Sequence, residues 1–114
     1  MTSKIERREN PRTEVSWPVS VKTEKGLVDG ETKDLGVDGM SICFDEPLPV
    51  NEMFSMSIMP PHHQTIQVTG KVIWSDLYGI DEKNTSVGLG VCFVEISEED
   101  RHFFNKLVSA HLRQ

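Results

Sequence analysis
The sequence predicts a mainly β protein, a six-stranded antiparallel β-barrel with a C-terminal α-helix. Three observations lead there. Apolar and polar residues alternate with a period of two through most of residues 15–96. Short segments rich in Gly, Pro, Asp and Asn interrupt that alternation at close intervals. The period changes to three-and-four spacing only after Ser97. A chain of 114 residues can bury one core and not two, so a single domain is expected.

Val15, Trp17, Val19 and Val21 alternate with polar neighbours and Pro18, giving a first half-buried strand in which the proline marks an edge or a bulge. Lys25-Gly26 turns the chain, and Leu27 to Leu35 forms a second strand with weaker alternation. Gly36-Val37-Asp38-Gly39 is a tight connection rich in residues that tolerate positive φ. Met40, Ile42 and Phe44 give a third strand its apolar face, and the proline-rich run Asp45 to Pro49 ends it. Phe54, Met56 and Ile58 mark a fourth strand, closed by Pro60-Pro61-His62-His63. A fifth carries Ile66, Val68, Gly70, Val72 and Trp74 on one face, with Gly70 at a bend or bulge of the kind a closing barrel needs. Ser75 to Ser86 reads as a polar, acidic loop. The sixth strand sets Val87, Leu89, Val91 and Phe93 against Gly88 and Gly90, glycines that let another backbone or a ligand come close. Ser97-Glu98-Glu99-Asp100 then opens a helix over about 98–112, with acids in its positive first turn. Phe103, Phe104, Leu107, Val108 and His111 form one stripe facing the barrel.

Composition narrows the function. A net charge of −6 disfavours broad binding to DNA or RNA. No apolar run approaches the roughly 20 residues that cross a bilayer, and residues 1–6 lack the apolar segment of a secretory signal. A cytoplasmic protein without membrane insertion is expected. Cys43 and Cys92 lie in separate strand-like runs without CxxC spacing and read as buried, reduced thiols. The sequence has no Gly-rich phosphate loop with Lys-Ser or Lys-Thr, no GxSxG and no HExxH, so no enzyme, cofactor or catalytic residue is expected. His62-His63 would alternate faces and lack a third ligand, which makes a solvated hairpin the reading rather than a metal site. His102 and His111 would face opposite sides of the helix, about 180° apart. Trp17 and Trp74 read as core, and Asp76, Asp81 and Glu82 as a wet loop.

One stretch runs against the charge of the body. Residues 1–12 hold Lys4, Arg7, Arg8 and Arg12 against Glu6 and Glu9, a net of +2, which leaves −8 for residues 13–114. Pro11 blocks helix continuation and biases Asn10 toward an extended shape, so this is an arm. Arginine offers a flat, permanently charged fork that bonds phosphate or a base edge in two places. The residues alone leave two readings open, a solubilising terminus and an anion- or nucleotide-gripping arm.

Arg8-x-x-x-Arg12, then a strand, then Asp34-x-Gly36-x-x-Gly39 at a strand–turn–strand junction, resembles the PilZ domain family, whose pattern is RxxxR followed by (D/N)xSxxG. The likeness extends through Pro47-Leu48-Pro49-Val50, Gly70-Lys71-Val72-Ile73-Trp74 and the run from Gly88 to Arg101. The resemblance implies a split six-stranded barrel that binds the bacterial second messenger cyclic di-GMP, often as two stacked copies under a folded arm. Arg8 and Arg12 match the arginines that grip guanine and phosphate, Asp34 the acid that pairs with a guanine edge, and Gly39 the turn glycine. Arg7 precedes the motif as an extra phosphate contact. Gly36 stands where the family has serine, and one lost neutral hydrogen bond costs roughly 1 kcal/mol, about fivefold in affinity. Some members lack the motif and act as nucleotide-independent protein-interaction adaptors, and this is the alternative. The expected organisation is an arm over residues 1–12 and one barrel domain over residues 13–114. The expected function is a stand-alone cyclic di-GMP receptor that signals through an unidentified downstream protein.

Overall fold
The computed structural model describes residues 12–78 and 86–112. Arg7, Arg8 and the arm before Arg12 lie outside the described residues, as do the centre of the expected 75–86 loop and the side chain of His111. The elements are β1 (Thr13–Glu14), β2 (Pro18–Thr23), β3 (Gly26–Leu35), β4 (Gly39–Phe44), β5 (Met53–Ile58), β6 (Ile66–Tyr78), β7 (Ser86–Ile96) and α1 (Glu98–Leu112). The strands pair antiparallel in the order β1-β3-β2-β5-β6-β7-β4, and β4 pairs back onto β3. β2 to β7 therefore make a closed six-stranded barrel, with β1 outside it on β3.

The period-two pattern is what closes the core. Val19 and Val21 of β2, Met40, Ile42 and Phe44 of β4, Met56 and Ile58 of β5 and Val87, Leu89 and Val91 of β7 all point inward and are at most 2 % exposed. Closure leaves these six strands without an edge, removing the unpaired backbone groups that an open sheet would present. Helix α1 covers one end. Ser97 caps it: its hydroxyl accepts from the Asp100 N–H at 3.1 Å and its carbonyl from the Arg101 N–H at 2.9 Å. Phe104 is fully buried, its ring 5.6 Å from that of Phe93, and burying such a side chain contributes about 2–3 kcal/mol. Phe103 lies between Trp17 and His63, at ring distances of 6.4 Å and 3.9 Å.

Several expectations need correction. The strand expected from Val15 is β2 and begins at Pro18, because a side chain takes the ladder positions before it. The buried Thr32 hydroxyl donates to the Val15 carbonyl at 2.6 Å and accepts from the Trp17 N–H at 2.9 Å. Pro18, lacking an N–H, sits where a strand can start. β6 continues past Trp74 to Tyr78 and shifts register twice, at Thr69/Gly70 and at Val72/Trp74. The first irregularity is the one Gly70 announces. The second reverses the phase, so that Trp74 lies on the outer wall, 39 % exposed, and not in the core. Residues 36–39 do not adopt positive φ; among the described residues only Gly26, Asn51 and His62 do. Gly39 is needed for a different reason: a Cβ there would collide with the Val91 carbonyl oxygen on the neighbouring strand. Cys43 and Cys92 are free thiols but only half-buried. His63 is stacked face to face on Phe103, 4° from parallel, rather than solvated.

Candidate functional site
The motif residues meet where β1 pairs with β3. Pairing of Thr13 with Leu35 and Glu14 with Asp34 fixes the root of the arm beside the end of β3. Arg12, one residue earlier, turns its guanidinium onto Asp34: Nε and Nη2 both approach Oδ1, at 2.7 and 2.6 Å. Two nitrogens of the fork thus converge on one carboxylate oxygen. Both side chains are about one-quarter exposed, at 23 % and 25 %, so solvent keeps the pair to roughly 1 kcal/mol of stability. Its value is geometric, since a charge-assisted bond holds both groups in place. Just beyond Asp34, the Gly36 N–H donates to the Gly39 carbonyl at 2.9 Å and closes the connection from β3 to β4.

Cross-strand register extends this corner into a wall. Asp34 of β3 pairs with Ser41 of β4, Ser41 with Gly90 of β7, and Gly90 with Trp74 of β6. These four residues form one transverse row on the outside of the barrel. At about 4.8 Å per strand, Asp34 and Trp74 stand roughly 14 Å apart along it. Only serine and glycine lie between them, and the indole rests on Gly90, where a Cβ would run into Nε1 and Cε2 and meet Cδ1 at 2.6 Å. A second row runs from Gly39 through Cys92 to Lys71. The result is a shallow floor of small residues, with an ion pair at one edge and an aromatic face at the other.

On the helix side, Arg101 donates from Nη1 to the Val37 carbonyl at 2.9 Å and lies 3.6 Å from the Asp38 carboxylate. Among the described residues no cluster of three or more His, Cys, Asp or Glu is arranged to hold a metal, and no helix is long and apolar enough to cross a membrane.

The model of the PilZ domain family matches residues 6–110, nearly the whole chain. The chain belongs to the PilZ domain family. No curated protein matches it. Among solved structures, the PilZ domain of YcgR from Escherichia coli, determined with c-di-GMP, superimposes at a TM-score of 0.76 with 17 % identity, over 95 % of this chain and 93 % of that one. MrkH of K. pneumonia in complex with c-di-GMP gives 0.79 and 14 %, over 95 % of this chain and 53 % of MrkH. The Bacillus subtilis inhibitor of motility MotI/DgrA gives 0.77 and 16 %, over 95 % of this chain and 52 % of that one. This PilZ chain thus spans about half the length of MotI and MrkH. At such identities the likeness is one of fold.

Of the residues singled out in the sequence, the fold of this PilZ domain brings Arg12, Asp34, Gly36 and Gly39 to one corner. Two further residues border it without a motif to mark them. The period-two reading puts Trp74 in the core, and the sign against that is Gly90, a glycine inside a strand that leaves room for something wide. Arg101 carried a weaker signal, a cation in a helix turn otherwise made of acids.

Proposed function
We propose that this PilZ domain is a receptor for cyclic di-GMP, with the nucleotide lying on the outer wall between Arg12–Asp34 and Trp74. The observation that carries the reading is the Arg12–Asp34 pair, which holds a guanidinium and a carboxylate side by side at the root of a cationic arm. Guanine presents N7 and O6 as acceptors on one edge and N1–H and N2–H₂ as donors on another. Arg12 suits the first edge, and the carboxylate of Asp34 suits the second. The indole of Trp74 supplies a stacking face, and stacking a base on an aromatic ring contributes about 1–3 kcal/mol. Arg7 and Arg8 bring charge toward the two phosphates as the arm of residues 1–12 closes over the barrel domain of residues 13–114. Gly36 and Gly39 shape the turn beneath. Closing of the arm exposes or hides a surface for a separate downstream protein, through which the signal passes.

Calorimetric titration tests this. The intact chain is expected to bind cyclic di-GMP, and Arg8→Ala or Arg12→Ala to weaken it by about tenfold or more, the loss of one charge-assisted contact. Absence of heat with the intact chain at high-micromolar ligand would refute the reading and leave the nucleotide-independent adaptor.

A further inference from the structure
We propose that Arg101 is a positioning residue of this site, a latch by which α1 sets the Gly36–Gly39 turn on which the ligand depends. The proposal rests on the nucleotide reading above. Arg101 sits in the first turn of α1, beside Glu98, Glu99 and Asp100. A cation there opposes the positive end of the helix, so helix stability does not account for it. Its side chain instead reaches 64 residues back to donate to the Val37 carbonyl at 2.9 Å, with the Asp38 carboxylate 3.6 Å away.

The turn is held by its carbonyls. Val37 accepts from Arg101, Asp38 accepts from the Phe93 N–H at 2.8 Å, and Gly39 accepts from the Gly36 N–H at 2.9 Å. Three successive carbonyls thus answer to three donors, one on α1, one on β7 and one in the turn itself. Two of the donors are backbone groups, one of them in a barrel strand. The third is a long side chain, 43 % exposed, beside an open cleft of about 450 Å³ between turn and helix. It is an adjustable link, and it joins the helix to a turn that begins two residues after Asp34. Coupling through it is reciprocal: a ligand that needs the turn set also favours the docked helix, and a partner that draws α1 away weakens the ligand.

The test pairs hydrogen exchange with titration, on the full chain as Arg101→Ala, Arg101→Lys and the helix-surface control Lys106→Ala. Without ligand, Arg101→Ala is expected to speed amide exchange at residues 36–39 while β5 and β6 exchange as in the intact chain. Its affinity for cyclic di-GMP should fall about tenfold, with Arg101→Lys recovering part of the loss and Lys106→Ala unchanged. Ligand should slow exchange in the first turn of α1 in the intact chain and not in Arg101→Ala. Turn exchange unaltered in Arg101→Ala overturns the latch, and so does intact-chain affinity in that variant. An intact chain that fails to bind, with the turn nonetheless loosened by Arg101→Ala, overturns the nucleotide reading and the positioning role while leaving the contact itself.

Discussion

Replacing Gly90 by alanine probes the outer wall at its narrowest point. The new methyl group would occupy the space of the Trp74 indole, touching Nε1, Cε2 and Cδ1. The obstacle is a side chain, so the ring can swing away, and the cost is the cover it loses. Trp74 is 39 % exposed, and losing half of what remains covered returns about 70 Å² to water, worth about 1.5–2 kcal/mol at ~25 cal/mol per Å². Alanine recovers about 0.5–1 kcal/mol over glycine in a strand. The net destabilisation is therefore about 1 kcal/mol, a fall of roughly 6 °C in Tm for a domain of this size. Circular dichroism measures the melting, and fluorescence of Trp74 in a Trp17→Phe background measures the ring, whose emission should shift to the red. Cyclic di-GMP affinity should drop about tenfold as the stacking face turns away. An unchanged or raised Tm together with an unmoved emission maximum would show that the indole does not rest on Gly90.

Gly39→Ala differs from Gly90→Ala because the obstacle is the Val91 backbone carbonyl, which cannot rotate aside. It should cost at least about 3 kcal/mol by forcing β4 from β7, and a melting temperature within a few degrees of the intact chain would refute the close approach. Gly36→Ser should tighten cyclic di-GMP binding about fivefold by restoring one hydrogen bond. The backbone at Gly36 lies outside the left-handed region, so its φ does not disfavour serine, and unchanged or weaker affinity by calorimetry would show that the hydroxyl has no such role. Ser97→Ala removes the bond to the Asp100 N–H and should lower stability by about 1 kcal/mol, with faster exchange confined to the first turn of α1; unaltered exchange there would count against the cap.

The barrel was largely legible because its information is local. Alternation in Met40, Ile42 and Phe44, and again in Val87, Leu89 and Val91, assigns inner and outer faces with no knowledge of which strand is the neighbour. The helix announced itself through Ser97, the acids after it and the change of period, and its apolar stripe meets the barrel through Phe104 as its spacing requires. Less visible were the exchanges of backbone partner for side chain. Thr32 taking the ladder positions of Val15 and Trp17 depends on a hydroxyl arriving from another strand, and nothing near Val15 in the sequence reports it.

For the candidate site, the order of Arg8, Arg12, Asp34 and Gly39 could be read without coordinates, and so could the opposition between a +2 arm and a −8 body. The meeting of Arg12 with Asp34 across 22 residues is a tertiary fact, as is the reach of Arg101 to Val37 across 64. Trp74 shows the physical reason most clearly. A strand repeats every two residues, so one irregularity at Val72/Trp74 moves Trp74 to the opposite face. A bulge is created by how two strands pair rather than by either strand alone. Composition and period therefore determined the barrel, its helix and the motif order, while strand pairing decided which side chains share the outer wall.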